Sequence, residues 1–443
     1  MTLTQKFTEI IKQNAPMSVH EIVENEVKGF LGSQRRKNMK DAVKYYCGQN
    51  DINRQVRTVI GENGKTKKSE NLSDNKISHA FLRELIDQKV QYLLGKDFVI
   101  DCENKEYLEY AKKMLGASFP DVLRNIGKDA ILFGIGWAFI NLDQNGRFKF
   151  SRVNPMELIP LWQDSEHTIL QGMIRVYNRV SYYGKNKKIV VRVDYYNEKG
   201  VINYIYDNNK LKLESKHNNI LIDDTKYNWN KIPFVAFKYN FEEISLLDII
   251  KSLVDDYDKI VSLESNLIFD QPNSILVIRN YDGQDLGEFR KNLSAFRAVK
   301  VSGDGGVETL NMPLDVAAYN SHLERLRRDI YAFGRGIDTR SEKFSSASGV
   351  ALKYEYAQLD MDVNYLETGI KRGLNELNWF LNCIINIFYN ITGELEFIFN
   401  RDIISLEADA IKMCKDSVGM ISAETIAANH PWVKDVKKEM EAI

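Results

Sequence analysis

The longest unbroken pattern in the chain runs from Ser348 to Ile391. Apolar side chains recur there every third or fourth residue, at Leu352, Tyr356, Leu359, Val363, Leu366, Ile370, Leu374, Leu377, Leu381, Ile384, Phe388 and Ile391. That spacing is helical and lays them along one stripe. No proline interrupts it. Gly369 and Gly373 read as its weak points, each costing about 1 kcal/mol against alanine, too little to break a helix packed along its length. At about 1.5 Å per residue such a helix extends roughly 65 Å, longer than most compact domains are wide. Upstream, Val316, Leu323, Leu326 and Ile330 predict a second helix over 314–335, with Pro313 near its first turn and Gly334 and Gly336 at its end. Between the two helices lies Asp338 to Ser348, DTRSEKFSSAS, polar and aperiodic, which reads as a loop.

Before these helices the pattern changes period twice. Residues 1–50 look helical, with Arg35, Arg36, Lys37 and Lys40 as a solvated face, and 61–75 read as a polar, turn-rich excursion. A helix is predicted over 77–100, with Phe81, Ile86, Val90 and Leu93 or Leu94 inward and Gly95 stopping it, followed by helices over 104–115 and 119–133. From Trp137 strands take over. Runs at 137–142 and 147–153 flank Asn145-Gly146, a hairpin signal, and further runs at 168–180, 188–197, 200–206 and 210–214 extend an antiparallel meander. The sheet closes at Ile232–Asn240. Ser245, with Asp248 three residues on, caps a helix over 245–270; Leu246, Ile249, Leu253, Tyr257, Ile260 and Leu267 form its inner side, Asp255, Asp256, Asp258, Lys259 and Glu264 decorate the rest, and Pro272 ends it. A small module follows, with a strand at 274–280, a helix at 286–295 and strands at 298–301 and 307–310. A strand at 394–399 and a helix at 405–417 lie beyond the long helix. The fold class is α+β, mainly helical.

Composition narrows the function. At 443 residues the chain has room for two or more domains, and its net charge of -1 argues against coating nucleic acid by bulk charge. Any contact with DNA must be local or weak. Cys47, Cys102, Cys383 and Cys414 are far apart and form no Cys-x-x-Cys pair, which reads as free thiols in a reducing compartment. The N-terminus lacks the apolar core of a signal peptide, and the run from Ala130 to Ile140 falls short of the ~20 residues of a membrane span, so cytosolic synthesis is expected. Gly64-Lys65-Thr66 imitates the end of a phosphate-binding loop, but Val59 stands where its first glycine belongs and KKSENLSDN follows where an apolar helix should. Gly303 to Gly306 reads as a hairpin turn. The six histidines are scattered, and the pairs Asp255 with Asp256 and Asp360 with Asp362 point to different helix faces and read as solvated. No catalytic constellation emerges, and no metal or cofactor is called for.

Several stretches resemble the portal proteins of tailed double-stranded-DNA bacteriophages, in the long-tailed, siphovirus-type branch. SGVALK, Ser348 to Lys353, opens a long helix after a polar loop in the manner of that family's tunnel loop and helix. Ile86-Asp87-x-Lys89-x-x-Tyr92-Leu93-Leu94-Gly95-Lys96 is similar to another family stretch, as are Tyr45-Tyr46-x-Gly48 and the C-terminal run of Ile421-Ser422-x-Glu424-Thr425, Pro431-Trp432-Val433-x-Asp435-Val436 and Glu439. The resemblance spans nearly the whole chain. It implies a portal fold with a wing (1–243), a stem helix (244–270), a clip (271–312), a second stem helix (313–337), a tunnel loop (338–348), a long tunnel and wing helix (349–392) and a crown (393–443).

The resemblance also implies a homo-oligomeric ring, a dodecamer, at one capsid vertex, serving genome packaging, head–tail joining and DNA ejection. Its implied partners are double-stranded DNA in the channel, the terminase large subunit and later a head-completion or adaptor protein on the clip, and the scaffolding and major capsid proteins at the wing. ATP hydrolysis belongs to the motor, so the chain is not an enzyme. Its place is the virion, after assembly in the host cytoplasm, without a membrane. At the channel wall Arg340 and Lys343 would touch passing phosphates, Glu342 would repel them and Phe344 would form a non-bonding collar. Asp255, Asp256 and Lys259 are candidates for the stem lumen, with an inter-subunit or solvated role equally open. Two other readings compete: a head–tail adaptor or baseplate component, and a nucleotide-dependent enzyme using Gly64 to Thr66.

Overall fold

The structure is a computed structural model that describes residues 17–60, 65–68, 72–143, 146–183, 186–222, 225–270, 274–279, 304, 306–311, 316–340, 349–401, 407–430, 432–433 and 436–442. In chain order its helices and strands begin with α1 (Val19–Gly32), α2 (Gln34–Tyr46), β1 (Thr58–Ile60), β2 (Thr66–Lys68), α3 (Phe81–Leu94), β3 (Val99–Asp101), α4 (Lys105–Leu115) and α5 (Phe119–Phe133). Strands β4 (Ile135–Leu142), β5 (Phe148–Val153), β6 (Leu158–Trp162), β7 (Leu170–Tyr183), β8 (Asn186–Asn197), β9 (Gly200–Asp207), β10 (Lys210–His217), β11 (Ile220–Ile222), β12 (Thr225–Tyr227) and β13 (Phe234–Lys238) follow. The rest comprises α6 (Leu246–Asp270), β14 (Ser274–Arg279), β15 (Gly306–Asn311), α7 (Val316–Phe333), α8 (Gly349–Tyr389), β16 (Glu396–Ile398), α9 (Glu407–Asp416), α10 (Ala423–Asn429) and α11 (Val436–Ala442). Two compact units result, one from Met1–Gly48, Ala80–Ile250 and Tyr331–Ile443, the other from Gln49–His79 and Lys251–Ile330.

The long stripe does form one helix. α8 is 41 residues, about 60 Å, and its predicted inner positions from Tyr356 to Ile384 are at most 7% exposed. Phe380 and Ile385 are buried beside them, whereas Phe388 is 53% exposed and drops out of the stripe. Burial of each such aliphatic side chain contributes about 1.5–3 kcal/mol, so the stripe outweighs the two glycines many times over. The glycines are not weak points. A Cβ on Gly369 would run into the carbonyl oxygen of Lys238, and one on Gly373 would sit 2.5 Å from the ring of Phe237. Both are bare because α8 lies directly on the backbone of β13.

The meander is two sheets rather than one. β10-β9-β8-β7-β6 form a five-stranded antiparallel sheet, and β13-β4-β5 form a separate three-stranded one. Asn154, which caps a 3₁₀ turn at Pro155–Glu157, breaks the chain between β5 and β6. Ile22, Val23 and Val27 of α1 close one face of the larger sheet over Ile174, Val176, Val193, Tyr204 and Leu211. The excursion before α3 is partly ordered pairing, since β1 and β2 form a hairpin.

α6 starts as predicted: the Asp248 amide donates to Ser245 Oγ at 3.2 Å and the Ser245 hydroxyl donates back to the Asp248 carboxylate at 3.0 Å. Its buried side differs from the predicted one. Leu246, Leu247, Ile250, Val254, Asp258, Ser262 and Asn266 are buried, and Ile249 is 46% exposed. From Asp258 onward the inner stripe is polar because extended chain lies along it. The amides of His79, Ile77 and Asn75 donate to Asp258 Oδ1 (3.0 Å), Ser262 Oγ (2.9 Å) and Asn266 Oδ1 (2.7 Å). Bonding through alternate residues holds 75–79 extended along α6, so α3 begins at Phe81 rather than at 77. At the other end of the predicted helix, 99–101 form β3, paired with β16.

In the module after α6, β14 pairs antiparallel with β15. The helix expected at 286–295, the strand at 298–301, the turn at 303–306 apart from Asp304 and Gly306, and Pro272 lie outside the described residues. α7 buries Leu326 and Ile330 as predicted but leaves Val316 49% exposed. Ser422 caps α10 by accepting the Thr425 amide.

Replacing Gly369 with alanine should lower the melting temperature, since overpacking costs about 1–3 kcal/mol and exceeds the ~1 kcal/mol gained in helix propensity. Gly29→Ala, on an α1 surface with nothing within 4 Å, should raise it. Calorimetry of the two variants checks the pair, and a Gly369→Ala protein as stable as its parent would contradict the packing account.

Candidate functional site

The polar loop between α7 and α8 is described only as far as Arg340; Glu342, Lys343 and Phe344 lie outside the described residues. The chain leading into it is held along α3 by residues one turn apart. The Tyr331 hydroxyl donates to Glu84 Oε1 at 2.7 Å and Arg340 Nη2 to Glu84 Oε2 at 3.2 Å. Gln88 and Ile337 exchange two bonds: the amide side chain donates to the Ile337 carbonyl at 3.0 Å and accepts the Ile337 N–H at 2.8 Å. Gly336 sits against Leu85 so closely that a Cβ would collide with it. A hydrogen bond with Tyr331 raises the Arg340 pKa further, so its charge is permanent and already partnered by Glu84.

Next to Gln88 on α3 is a buried charge. Lys89 is fully buried, donates to the Arg335 carbonyl at 2.9 Å and pairs with Asp362 of α8 at 2.7 Å. Asp362 also accepts the Tyr239 hydroxyl at 2.5 Å and lies 3.7 Å from Arg335 Nη1. Burial pulls the Lys89 pKa down against the attraction of Asp362, and burial pushes the Tyr239 hydroxyl well up. Nearby, Tyr92 donates to Asp360 at 2.8 Å, and Arg401 bridges Asp360 and Glu367, each at 2.7 Å. Tyr46 donates to Asp87 at 2.7 Å. Asp87, Lys89 and Tyr92 of the α3 motif therefore each hold a definite partner.

Asp360 and Asp362 are thus partnered acids rather than free ones, and Asp362 is buried, 8% exposed. Sequence spacing sets them on different faces of α8, as it should, but the partners arrive from α3, β13 and the chain after β16. Asp258, read as surface decoration, is likewise fully buried, accepting from His79 and, at 2.5 Å, from Asn50.

The stem candidates lie on the outer side of α6. Asp255 pairs with Lys251 at 2.6 Å, which also reaches Asp51 at 2.6 Å. Asp256 stands 3.2 Å from His322 of α7, and Lys259 is exposed. Thr66 opens the exposed strand β2 instead of a helix, which removes the phosphate-loop geometry that the enzymatic reading needs. Among the described residues, no group of three or more His, Cys, Asp or Glu is placed to hold a metal, and no helix is long and apolar enough to cross a membrane.

Residues 32–443 match the family model described as phage portal protein, SPP1 Gp6-like. The chain belongs to this portal family. The portal protein of Bacillus phage SPP1 is 29% identical over 460 residues, covering 100% of this chain and 90% of the relative. That of Clostridium phage phiCD119 is 28% identical over 422 residues, covering 91% of each. Among solved structures, a chain in the neck of a native GTA particle computed with C12 symmetry covers 88% of this chain and 98% of its own at 12% identity, with a TM-score of 0.42. Portal proteins of this family are structural parts of the phage head and form an oligomeric ring at the capsid vertex, and the expected portal fold stands. The loop root, the α3 motif and α8 all fall within the matched residues of this portal chain.

Lys89→Ala would remove the close, fully buried partner of Asp362 and leave it only the more distant Arg335 guanidinium, and should cost about 3–5 kcal/mol, read from denaturant unfolding. Combined with Asp362→Ala, the losses should be clearly less than additive; strict additivity would mean that the two do not form one unit. Glu367 gives a pH test. Burial raises its pKa, but the bonds from Arg401 and Lys371 outweigh that and hold it below the ordinary carboxylate value. Its stabilisation is therefore complete above the unfolded-state value and is lost as pH falls through the folded one. Glu367→Gln should flatten the acid side of the stability profile below about pH 4.5, measured by melting temperature against pH.

Proposed function

We infer that copies of this chain close into a dodecameric ring whose lumen carries double-stranded DNA during packaging and ejection. The regions follow the expected order: wing 1–243, stem helix 244–270, clip 271–312, stem helix 313–337, tunnel loop 338–348, tunnel and wing helix 349–392 and crown 393–443. The terminase large subunit docks on the clip, and a head-completion or adaptor protein takes its place when the head is full. The scaffolding and major capsid proteins meet the wing while the particle assembles in the host cytoplasm. The chain has no enzymatic step and needs no cofactor; the motor hydrolyses ATP.

The observation that carries this reading is the loop root. A polar loop issuing from a segment fixed to α3 at Glu84, Gln88 and Lys89, and followed by a 41-residue helix, is a loop on a stiff mount. Symmetry then repeats it around an axis. Arg340 is already partnered by Glu84; passing phosphates would touch it and Lys343, with Glu342 as a repulsive neighbour and Phe344 as an apolar collar. On the stem, Asp255, Asp256 and Lys259 present a mixed surface of low net charge. Weak contacts suit a duplex that must slide, because each neutralised phosphate adds salt-dependent affinity.

Deleting residues 340–347 should leave ring assembly intact in negative-stain images and impair packaging of DNA into heads carrying the variant ring. Failure to assemble, or packaging at the parental level, would refute the loop's role.

A further inference from the structure

β7 and β8 continue past the sheet that holds them. β6 accompanies β7 only over Leu170–Arg175, and β9 accompanies β8 only from Val191 onward. Five cross-strand pairs, from Arg179↔Val190 to Tyr183↔Asn186, therefore have no third strand among the described residues. A two-stranded ribbon is marginal in water by itself, so its side chains matter. Val180, Tyr182 and Ile189 are 45%, 72% and 60% exposed on one face, with Lys187 opposite Tyr182. Arg179 and Lys188 lie on the other face.

The charge of this stretch is of one sign. Residues 168–193 contain Arg175, Arg179, Lys185, Lys187, Lys188 and Arg192 and not one acid, in a chain whose net charge is -1. At the base of the ribbon the cations are neutralised, Arg175 by Glu157 and Arg192 by Glu214. Beyond the sheet, Arg179, Lys187 and Lys188 have no carboxylate within ion-pair reach among the described residues.

We propose that this ribbon is a DNA-binding element, separate from the tunnel loop, that grips duplex DNA without regard to sequence. A two-stranded ribbon fits the major groove, about 12 Å wide, and cations on both of its faces reach both phosphate walls. The exposed Tyr182 ring, beside Lys187, packs against sugar and base edges. An acidic protein surface would be met by cations gathered on one face, which is not the arrangement here.

The test uses the full-length protein and a short labelled DNA duplex, with anisotropy followed across a salt series. Arg179→Ser, Lys187→Ser and Lys188→Ser together should weaken binding tenfold or more at low salt and reduce the slope of log affinity against log salt by about 2–3, at roughly 0.9 per lost phosphate contact. A control that removes the same charge from the exposed residues Lys112, Lys113 and Lys216 should keep the parental slope. Equal effects of both sets, or parental binding by the ribbon variant, would overturn the proposal and leave the ribbon a solvated tip. So would parental DNA binding combined with lost adsorption to an acidic polypeptide. Tyr182→Ala, milder and uncharged, should lower affinity severalfold and decides the matter if the triple variant does not fold. A loop-deleted ring still carries the ribbon, so this result and that of the channel test are independent.

Discussion

Contact between α8 and the bare backbone of β13 is the constraint around which the larger unit is arranged. Gly369 and Gly373 let the helix axis come down onto Ala236–Lys238, and the buried stripe then reaches neighbours on both sides of the strand. Tyr107 of α4 donates to Asn378 at 2.9 Å, Lys89 of α3 pairs with Asp362, and Ile370 lies under Gly127 of α5. Helices from widely separated parts of the chain thus share one spine. Hydrophobic burial supplies the bulk of the attraction, while the Lys89–Asp362–Tyr239 group fixes register, because a charge displaced from its partner there would be left unsolvated.

Much of this was legible in the pattern of residues, and the misses have a common cause. α8, α4, α5, the strands of the meander and the Ser245 cap follow from local rules of period and capping. The two glycines of α8 were misjudged because propensity describes an isolated helix, whereas their value lies in what a Cβ would strike. Asp258, Asp360 and Asp362 were assigned to solvent because spacing along one element cannot reveal a donor arriving from another. The inner side of α6 was placed one residue off for the same reason: hydrophobic periodicity has no way to score a buried stripe of Asp258, Ser262 and Asn266.

The candidate site was less readable than the fold. Motif resemblance singled out the polar segment after α7, and the α3 motif holds the chain leading into it, a role that neither stretch announces alone. Glu84 and Gln88, which do the holding, carry no signal in sequence beyond their spacing of one helical turn. Arg340 was legible as a cation near the loop but not as one that Glu84 already engages.

The polar ladder on α6 rests on a near coincidence of two repeats. Alternate amides of extended chain recur about every 6.6 Å, and every fourth helical residue about every 6.0 Å. Each rung therefore slips by roughly half an ångström against the last, and over Asp258, Ser262 and Asn266 the drift nears the tolerance of a hydrogen bond. Such a splint between strand and helix is self-limiting: it can clamp two or three turns firmly, and any longer run must bend one partner or let go.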